Sequence, residues 1–487
     1  MKRTLLDLIF LCILLTVVSP VVAETTITAS DLMWLNRVTY GINQQTIEAF
    51  SRLGRAGFLN AQLQPSDETR QELNSGAPER PLNDLQKERS QRRQHANTLP
   101  PGEEKSRQLI ELGLERTQLI RQATELHLTR AVYSPDQLKE QLAWFWFNHF
   151  TVHGGKGDIA TMVGNYEAAL RPHLLGKFKD LLRISLHHPA MLIYLDNTQN
   201  RAGKINENYA RELLELHTLG IDGGYTQKDV QELARILTGL QANLSGAPPK
   251  LPKDREAEYV LDGVFQYNPA HHDYGDKTFM GRSIKGRGLD EVNEILDFLA
   301  DHPVTARFIS RKLIEYFVAD TPPARLISAA TATFQRTQGD IAEVLRVILD
   351  SPEMEASLGK KFKSPFQYSI SALRLLHGGA PSPLPPNELR LAEQLGEPLF
   401  GRTTPDGYPL VTAQWATPAQ LLGRIQSADR LAKRWHGDMQ KAPSSTDAPW
   451  CIYQPLLSST TLQAISSQPE PTRAVQMFLS APAFMYR

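Results

Sequence analysis

Residues 134–150 of this chain read SPDQLKEQLAWFWFNHF and have the start signals and the spacing of a helix. Its first residues, Ser134, Pro135 and Gln137, supply an N-cap, a proline at the first helical position and a capping-box partner. Since apolar residues follow at helical spacing, the pattern predicts a helix that runs through His149.

The end of this helix is rich in aromatic residues. A helix end that is apolar all round is typical of a buried core. The alternative is an exposed aromatic platform on which a sugar stacks, with Trp146 and Asn148 in contact with the ligand. His149 belongs to the same turn and is a candidate assisting group in a catalytic site.

More helices and few strands are predicted further along the chain. Thr226 to Asp229 form a second capping box, and helices are predicted over Asp290–Leu299 and Val304–Val318. Tyr259–Tyr267 and Lys277–Ile284 have the composition of two strands that pair with each other in one hairpin. The sequence therefore predicts a mostly α protein with one small β-hairpin at about 259–284.

No linker divides the chain, so a single large irregular helical domain is predicted over 24–487. Residues 64–107 are polar, with almost no large apolar side chains, and predict an exposed insertion or a solvated helix. Residues 241–256 and 378–388 contain repeated proline, glycine and serine, which indicates loops.

The N-terminus has the pattern of a secretion signal. Lys2 and Arg3 precede an apolar run from Leu5 to Val18, and small residues end at Ala23. Because the run is shorter than the roughly 20 residues of a membrane span, a cleaved signal peptide over 1–23 is favoured over an anchor. The mature chain is then expected to be exported, to the periplasm or the cell surface, with no further membrane span.

The charge balance and the cysteine content limit the partners and the covalent cross-links that can be expected. The chain has 53 basic and 53 acidic residues, and removing Lys2, Arg3 and Asp7 with the signal leaves a net charge near −1. This balance argues against a nucleic-acid partner. Cys451 would be the single cysteine of the mature chain, so no internal disulfide is expected.

The segment from Asp196 to Gly220 is the richest in polar groups. A helix over 207–219 would bury one apolar face that includes His217, a candidate core histidine. The opposite face would carry Glu207, Asn208, Arg211, Glu212, Glu215 and Thr218. Four-residue spacing of Glu207, Arg211 and Glu215 is also typical of an ordinary exposed ion-pair ladder.

Short polar residues lead into this helix. Asp196, Asn197, Asn206 and Asn208 would lie near its positive N-terminus. If that turn is covered, its polar groups must bond one another or a ligand, because burying them unpaired is costly. Two interpretations stay open: a structural hydrogen-bond network, and a ligand-binding or catalytic site.

A third polar cluster surrounds His272, Asp273 and Lys277. These side chains are candidate ligand contacts in a turn, but their spacing matches no standard metal site. No Walker loop, nucleophile elbow or dinucleotide-binding turn occurs either. No metal and no cofactor is predicted.

Several segments resemble one bacterial family, the domain of unknown function 1800. They include LNRVTYG at 35–41, WFNHF at 146–150, HPAML at 188–192, NENYAREL at 206–213, GGYT at 223–226 and GEPLF at 396–400. The resemblance runs from about Asp31 to Arg487. It implies an exported helical protein that acts with a separately encoded partner of the domain of unknown function 1501 type, similar to alkaline phosphatases and sulfatases. Phe147 stands where the family often has a histidine, which argues against a metal site there.

Two functions follow as expectations. The first is an accessory protein that binds an envelope component, such as a glycan or another envelope polymer, or a partner enzyme. The second is a hydrolase or lyase on envelope or extracellular polymer, with Glu212 or Glu215 as general acid or base and Arg211 holding an anionic group. His149 or His272 would assist. The enzyme hypothesis requires these carboxylates to be shielded from bulk water.

Overall fold

The computed structural model describes residues 27–65, 73, 80–378, 381–439 and 448–487, without the side chains of 436–439. The predicted signal peptide over 1–23 lies outside the described residues. Parts of the segments 64–107 and 378–388 lie outside them as well.

The fold is mostly helical, as predicted. The α-helices of the described residues are α1 (Ala29–Val38), α2 (Gln44–Leu63), α3 (Leu82–Thr98), α4 (Glu103–Tyr133), α5 (Gln137–His149), α6 (Val163–Leu170), α7 (Phe178–His187), α8 (Pro189–Tyr194), α9 (Asn208–Glu212), α10 (Gln227–Ile236), α11 (Leu289–Asp301), α12 (Pro303–Phe317), α13 (Ala324–Arg336), α14 (Ile341–Leu349), α15 (Pro352–Ser357), α16 (Pro365–His377), α17 (Pro386–Leu389), α18 (Leu391–Gln394), α19 (Pro418–Met439), α20 (Ser459–Ser466), α21 (Pro471–Leu479) and α22 (Pro482–Met485). Short 3₁₀ turns connect some of them.

Helix α5 is the centre of the molecule. All of its residues from Gln137 to His149 are buried, which confirms the predicted aromatic core. The indole of Trp144 stacks between Tyr316 and Phe366, with ring centroids 5.7 and 6.1 Å away. Apolar residues from Leu32 to Phe484 join one continuous core around this helix.

The start of α5 differs from the prediction. Helix α4 runs through Tyr133, so Ser134 closes that helix and Asp136 becomes the N-cap of α5. Ser134 Oγ accepts a hydrogen bond from Asp136 N at 3.1 Å, and Gln137 Nε2 donates to Ser134 O at 2.8 Å. The same residues therefore form a tight corner between two helices, and the first turn of α5 begins two residues later than expected.

The other predicted helices form where their capping signals place them. Thr226 caps α10, and its box with Asp229 is complete: Thr226 Oγ1 accepts from Asp229 N at 3.2 Å, and Asp229 Oδ2 accepts from Thr226 N at 2.7 Å. The helices predicted over 290–299 and 304–318 are α11 and α12. Within the polar insertion, α3 is a largely solvated helix against α4. Its buried Arg89 donates to Leu112 O of α4 at 3.2 Å, and its buried Gln86 donates to Thr161 Oγ1.

The two predicted strands do not pair with each other, and this part of the prediction was wrong. Each of them folds back on itself. Strand β2 (Val260–Asp262) pairs with β3 (Phe265–Tyr267), which also pairs with β1 (Leu240–Ala242). Strand β4 (Lys277–Phe279) pairs with β5 (Arg282–Ile284). All pairs are antiparallel, and Gly263 and Gly281, both at positive φ, lie in the turns.

Within the described residues, no helix combines the length and the apolar character that a membrane crossing requires.

Candidate functional site

A short α-helix followed by a π-helical segment carries the predicted carboxylates. Helix α9 ends at Glu212, and Leu213–Thr218 continue as a π-helix in place of the α-helix predicted over 207–219. The wider turn rotates Thr218, predicted on the polar face, into the core, where its Oγ1 donates to Leu213 O at 2.6 Å. Such segments inside helices are frequent at functional sites.

The polar face of this segment is partly shielded from water. The side chains of Glu207, Arg211 and Glu215 are 30%, 37% and 27% exposed. Arg211 lies 3.2 Å from Glu207 and 3.5 Å from Glu215, which is the four-residue ladder that their spacing indicates. Arg211 also donates to Gln227 Oε1 at 2.8 Å, so the ladder is tied to the start of α10.

Glu212 differs from its neighbours. Its side chain is half-buried, and no described residue donates a hydrogen bond to its carboxylate. Burial raises the pKa of Glu212, and the nearby carboxylates of Glu215 and Asp406 raise it further against the opposing charge of Arg211. A carboxyl in such surroundings holds its proton closer to neutral pH than an ordinary glutamate does.

Asp406 comes from a distant loop, 400–410. Arg402 forms an ion pair with it at 2.8 Å. Burial alone would raise the pKa of Asp406, but hydrogen bonds from Thr404 and Arg402 outweigh burial and lower it. The loop thus brings a charged carboxylate beside Glu212.

Asn148 fastens this loop to the central helix. Its Nδ2 donates to Tyr408 O at 3.0 Å, and its Oδ1 accepts from Tyr408 N at 2.6 Å. Gly407 has a φ of +74°, and a Cβ there would lie 2.3 Å from Asn148 O. The close approach therefore requires glycine. The side chain of Asn148 therefore positions the loop by binding the backbone of Tyr408.

His149 and Lys312 form a second polar group behind the carboxylates. His149 is buried, and its Nε2 lies 3.1 Å from His217 O. A carbonyl oxygen only accepts, so Nε2 carries the proton and Nδ1 accepts from Lys312 Nζ at 3.0 Å. Burial lowers the pKa of His149 well below its ordinary value, with Lys312 and His217 adding to the effect. The ring is thus neutral.

His217 is a core residue, as its place on the apolar face indicates. Its ring is buried 5.9 Å from that of His149, and neither ring nitrogen has a hydrogen-bond partner among the described residues. Burial lowers the pKa of His217 to about 3.

The asparagine turn uses its polar groups within the chain. Asn197 Nδ2 donates to Leu237 O and Leu240 O at 3.1 and 3.0 Å. Asn206 Oδ1 accepts from Asn208 N at 3.0 Å, and Asn208 Nδ2 donates to Leu195 O at 3.2 Å. Asp196, at a φ of +58°, forms an ion pair with Lys156 at 2.8 Å. This geometry is that of a structural hydrogen-bond network.

The His272 turn is likewise occupied by internal contacts. The side chains of His272, Lys277 and Glu291 are fully buried and meet at Glu291 Oε1, which lies 3.1 Å from His272 Nε2 and accepts from Lys277 Nζ. Asp273 forms an ion pair with Arg235 at 2.8 Å. His272 and Lys277 therefore have no surface open to a ligand in this conformation.

Trp146 is also fully buried, and its Nε1 donates to Leu174 O at 3.0 Å. Its ring has no exposed face on which a sugar could stack. Across the described ranges, no three histidine, cysteine, aspartate or glutamate side chains are grouped as a metal site would require.

The structure thus brings together Arg211, Glu212 and Glu215 and adds Asp406, while His149 lies apart from the carboxylates, paired with Lys312. Sequence reasoning missed Asp406 and Lys312. Neither added residue has a motif of its own. Asp406 sits in the run Pro405-Asp406-Gly407, whose composition is typical of a turn and carries no catalytic signature. Lys312 sits on an ordinary amphipathic helix.

Comparison with known proteins gives a family and no named relative. No curated protein and no solved structure matches this chain. The family model described as "Protein of unknown function (DUF1800)" matches residues 33–486. Since that match spans nearly the whole chain, the protein belongs to the DUF1800 family.

Proposed function

We propose that this protein is an exported hydrolase or lyase that acts on an envelope or extracellular polymer. The observation that carries the proposal is Glu212, a half-buried carboxyl with a raised pKa beside a second, ion-paired carboxylate, Glu215. Two carboxyl groups in different surroundings can divide the roles of general acid and general base.

The roles follow from the contacts. The pKa of Glu212 is raised by burial and by the neighbouring carboxylate of Glu215, so Glu212 is assigned as the general acid and the ion-paired Glu215 as the base. Arg211 retains enough exposure to hold an anionic group of the substrate. His149 does not reach the carboxylates and acts through Lys312 as a positioning residue. His272 has no part, because it is enclosed with Glu291.

Export is part of this proposal and is supported by the charged start, the apolar run and the small residues that end at Ala23. A protein secreted in this way has Glu24 as its first residue. Mass spectrometry of the protein recovered from the periplasm or medium tests this, and a mature chain that retains residues 1–23 would contradict it.

The catalytic test uses the mature protein with purified peptidoglycan and envelope polysaccharides, and release of soluble fragments is measured. We expect Glu212→Gln to lower the rate by about 10²- to 10⁴-fold, because the amide cannot donate a proton as an acid does. The matched control is Glu343→Gln, an exposed glutamate on α14 whose carboxylate pairs, among the described residues, only with Arg346, 4.0 Å away. Equal rates for Glu212→Gln and the unaltered protein would rule out the assigned acid.

A second candidate is the accessory function with an alkaline-phosphatase-like partner. The observation that favours it is the pairing of Arg211 with both Glu207 and Glu215. These partly exposed charges of both signs would also suit a surface that binds another protein. Co-purification from the native envelope separates the two. Recovery of such a partner, together with an inactive isolated protein, would favour the accessory function.

A further inference from the structure

Lys312 occupies unusual surroundings for a lysine. Its side chain is half-buried on α12, and its one polar contact in the described part of the chain is the neutral ring of His149, 3.0 Å away. No described carboxylate lies within ion-pair distance of its ammonium, and the ring centroid of Phe308 lies 5.6 Å from Nζ. An ammonium is strongly hydrated, so a partly dry site without a counter-ion favours the uncharged amine.

The contact with His149 also determines which way the lone pair of the Lys312 amine points. His149 must present the lone pair of Nδ1, because its Nε2 proton is held by His217 O at 3.1 Å. An uncharged lysine can still donate one N–H to Nδ1, which leaves its own lone pair directed away from the ring. The Lys312 side chain is partly exposed, and this exposed part is the route by which a small molecule would approach that lone pair.

From this geometry we infer that Lys312 is a reactive amine that captures an aldehyde or ketone as an imine. The open-chain form of a sugar's reducing end is one compound of this class. The inference goes beyond the acid and base roles of the carboxylates and does not depend on them.

The step balances without an oxidant or reductant. Lys312 Nζ attacks the carbonyl carbon, a C–N bond forms, and a proton moves from nitrogen to the carbonyl oxygen, which gives a carbinolamine. Loss of the hydroxyl group with the second nitrogen proton releases one water and leaves a C=N bond. A basic amine is required for attack and a proton donor for loss of water.

The charged and titratable groups that face Lys312 come from four elements. His149 on α5 and His217 on the π-helix are both neutral, while Glu315 on α12 and Asp406 on the loop 400–410 are carboxyl groups farther away. Burial lowers the pKa of Lys312 to about 8, with Glu315 and Asp406 opposing. The uncharged fraction of the amine is therefore substantial at mildly alkaline pH.

The test is reductive labelling of the unaltered full-length mature protein. Limiting glyceraldehyde with sodium cyanoborohydride is added at pH 8, and each modified lysine is quantified by peptide mass spectrometry. We expect Lys312 to be modified about tenfold faster than Lys285, whose exposed ammonium is ion-paired with Asp276. Its rate should rise with pH to a plateau above about 8.

Lys361 is the matched internal control. Burial lowers its pKa to about 8 as well, but its side chain is only 3% exposed and lies 2.6 Å from Asp320. It should stay unmodified, which separates an accessible amine from one that is merely buried. Labelling of Lys312 no faster than that of Lys285 would overturn the inference.

Two variants distinguish the reactive amine at Lys312 from the acid–base roles of the carboxylates. Lys312→Arg keeps an N–H donor for His149 Nδ1 but removes the amine, so it should abolish the fast-labelling site while other lysines label as before. Glu212→Gln should leave labelling of Lys312 intact. Fragment release with slow labelling of Lys312 would support the hydrolase proposal and overturn the reactive amine. Fast labelling of Lys312 without fragment release would support the reactive amine and contradict the hydrolase proposal.

Discussion

Glu397 is a buried carboxyl whose protonation is coupled to stability. It is 1% exposed, its Oε2 accepts from Phe366 N at 2.8 Å, and its Oε1 has no partner among the described residues. Burial raises the pKa of Glu397 to about 7, against smaller opposing effects from Phe366, Ser364 and Arg424. Because the folded pKa is raised, its contribution is fully present at acidic pH and is lost as pH rises through about 7.

Glu397→Gln should flatten the pH dependence of stability. The unaltered protein is expected to lose on the order of 3 kcal/mol of unfolding free energy between pH 5 and pH 9 through this group, and the variant should lose less. Urea denaturation at pH 5, 7 and 9 measures the difference. Parallel pH profiles would show that Glu397 is ionised in the folded protein.

Which residues could be identified in advance depends on where their partners lie. The pairing of Arg211 with Glu207 and Glu215 was predictable because it involves one helix face. Asp406 and Lys312 could not be predicted, because they come from a loop about 200 residues and a helix about 100 residues along the chain from Glu212. Their role depends on three-dimensional packing that no local spacing records.

The buried group of His272, Lys277 and Glu291 joins the hairpin β4–β5 to helix α11. We expect Glu291→Gln to lower the free energy of unfolding by about 3–5 kcal/mol, because Lys277 would be left as a buried charge without its partner. Guanidinium denaturation measures the loss.

The control lies one turn along the same helix. Glu294 forms an exposed ion pair with Arg287, so Glu294→Gln should cost less than about 1 kcal/mol. Comparable losses for both variants would mean that the buried group contributes no more than a surface pair.

Elements with strong end signals were predictable, and elements defined by long-range pairing were not. Thr226 with Asp229 marked the start of α10 correctly, since capping is a local interaction. The residues around Gly263 and Gly281 form tight turns inside segments that composition suggested were single strands. The π-helix was also missed, because its extra residue changes the hydrogen-bond register and leaves no signal in hydrophobic spacing.

Arg37 holds parts of the protein that are far apart in the sequence together. Its guanidinium is fully buried and donates to Phe317 O and Val318 O at 2.7 and 3.0 Å and to Ser357 O at 2.6 Å. It also donates to Arg487 O. These acceptors belong to α12 and its end, to α15 and to the last residue of the sequence.

Arg37→Met should therefore destabilise the protein by at least about 4 kcal/mol, because several buried carbonyl groups lose their donor. Differential scanning calorimetry should show one transition for the unaltered protein and one at lower temperature for the variant. Arg325→Met, which removes a side chain that is 79% exposed, should leave the transition in place. Two separate transitions would contradict the prediction of a single domain over 24–487.

The contact between Asn148 and Tyr408 places a strict chemical demand on one side chain. The side-chain amide of Asn148 must donate one hydrogen bond to the Tyr408 carbonyl and accept another from the Tyr408 N–H. An aspartate of nearly identical shape would set a negative oxygen against the Tyr408 carbonyl and turn attraction into repulsion. Deamidation of Asn148 with age would thus release the loop 400–410, which carries Asp406, from helix α5. Neither Asn148 nor Tyr408 belongs to the proposed acid–base pair, so activity would be lost through a residue outside it.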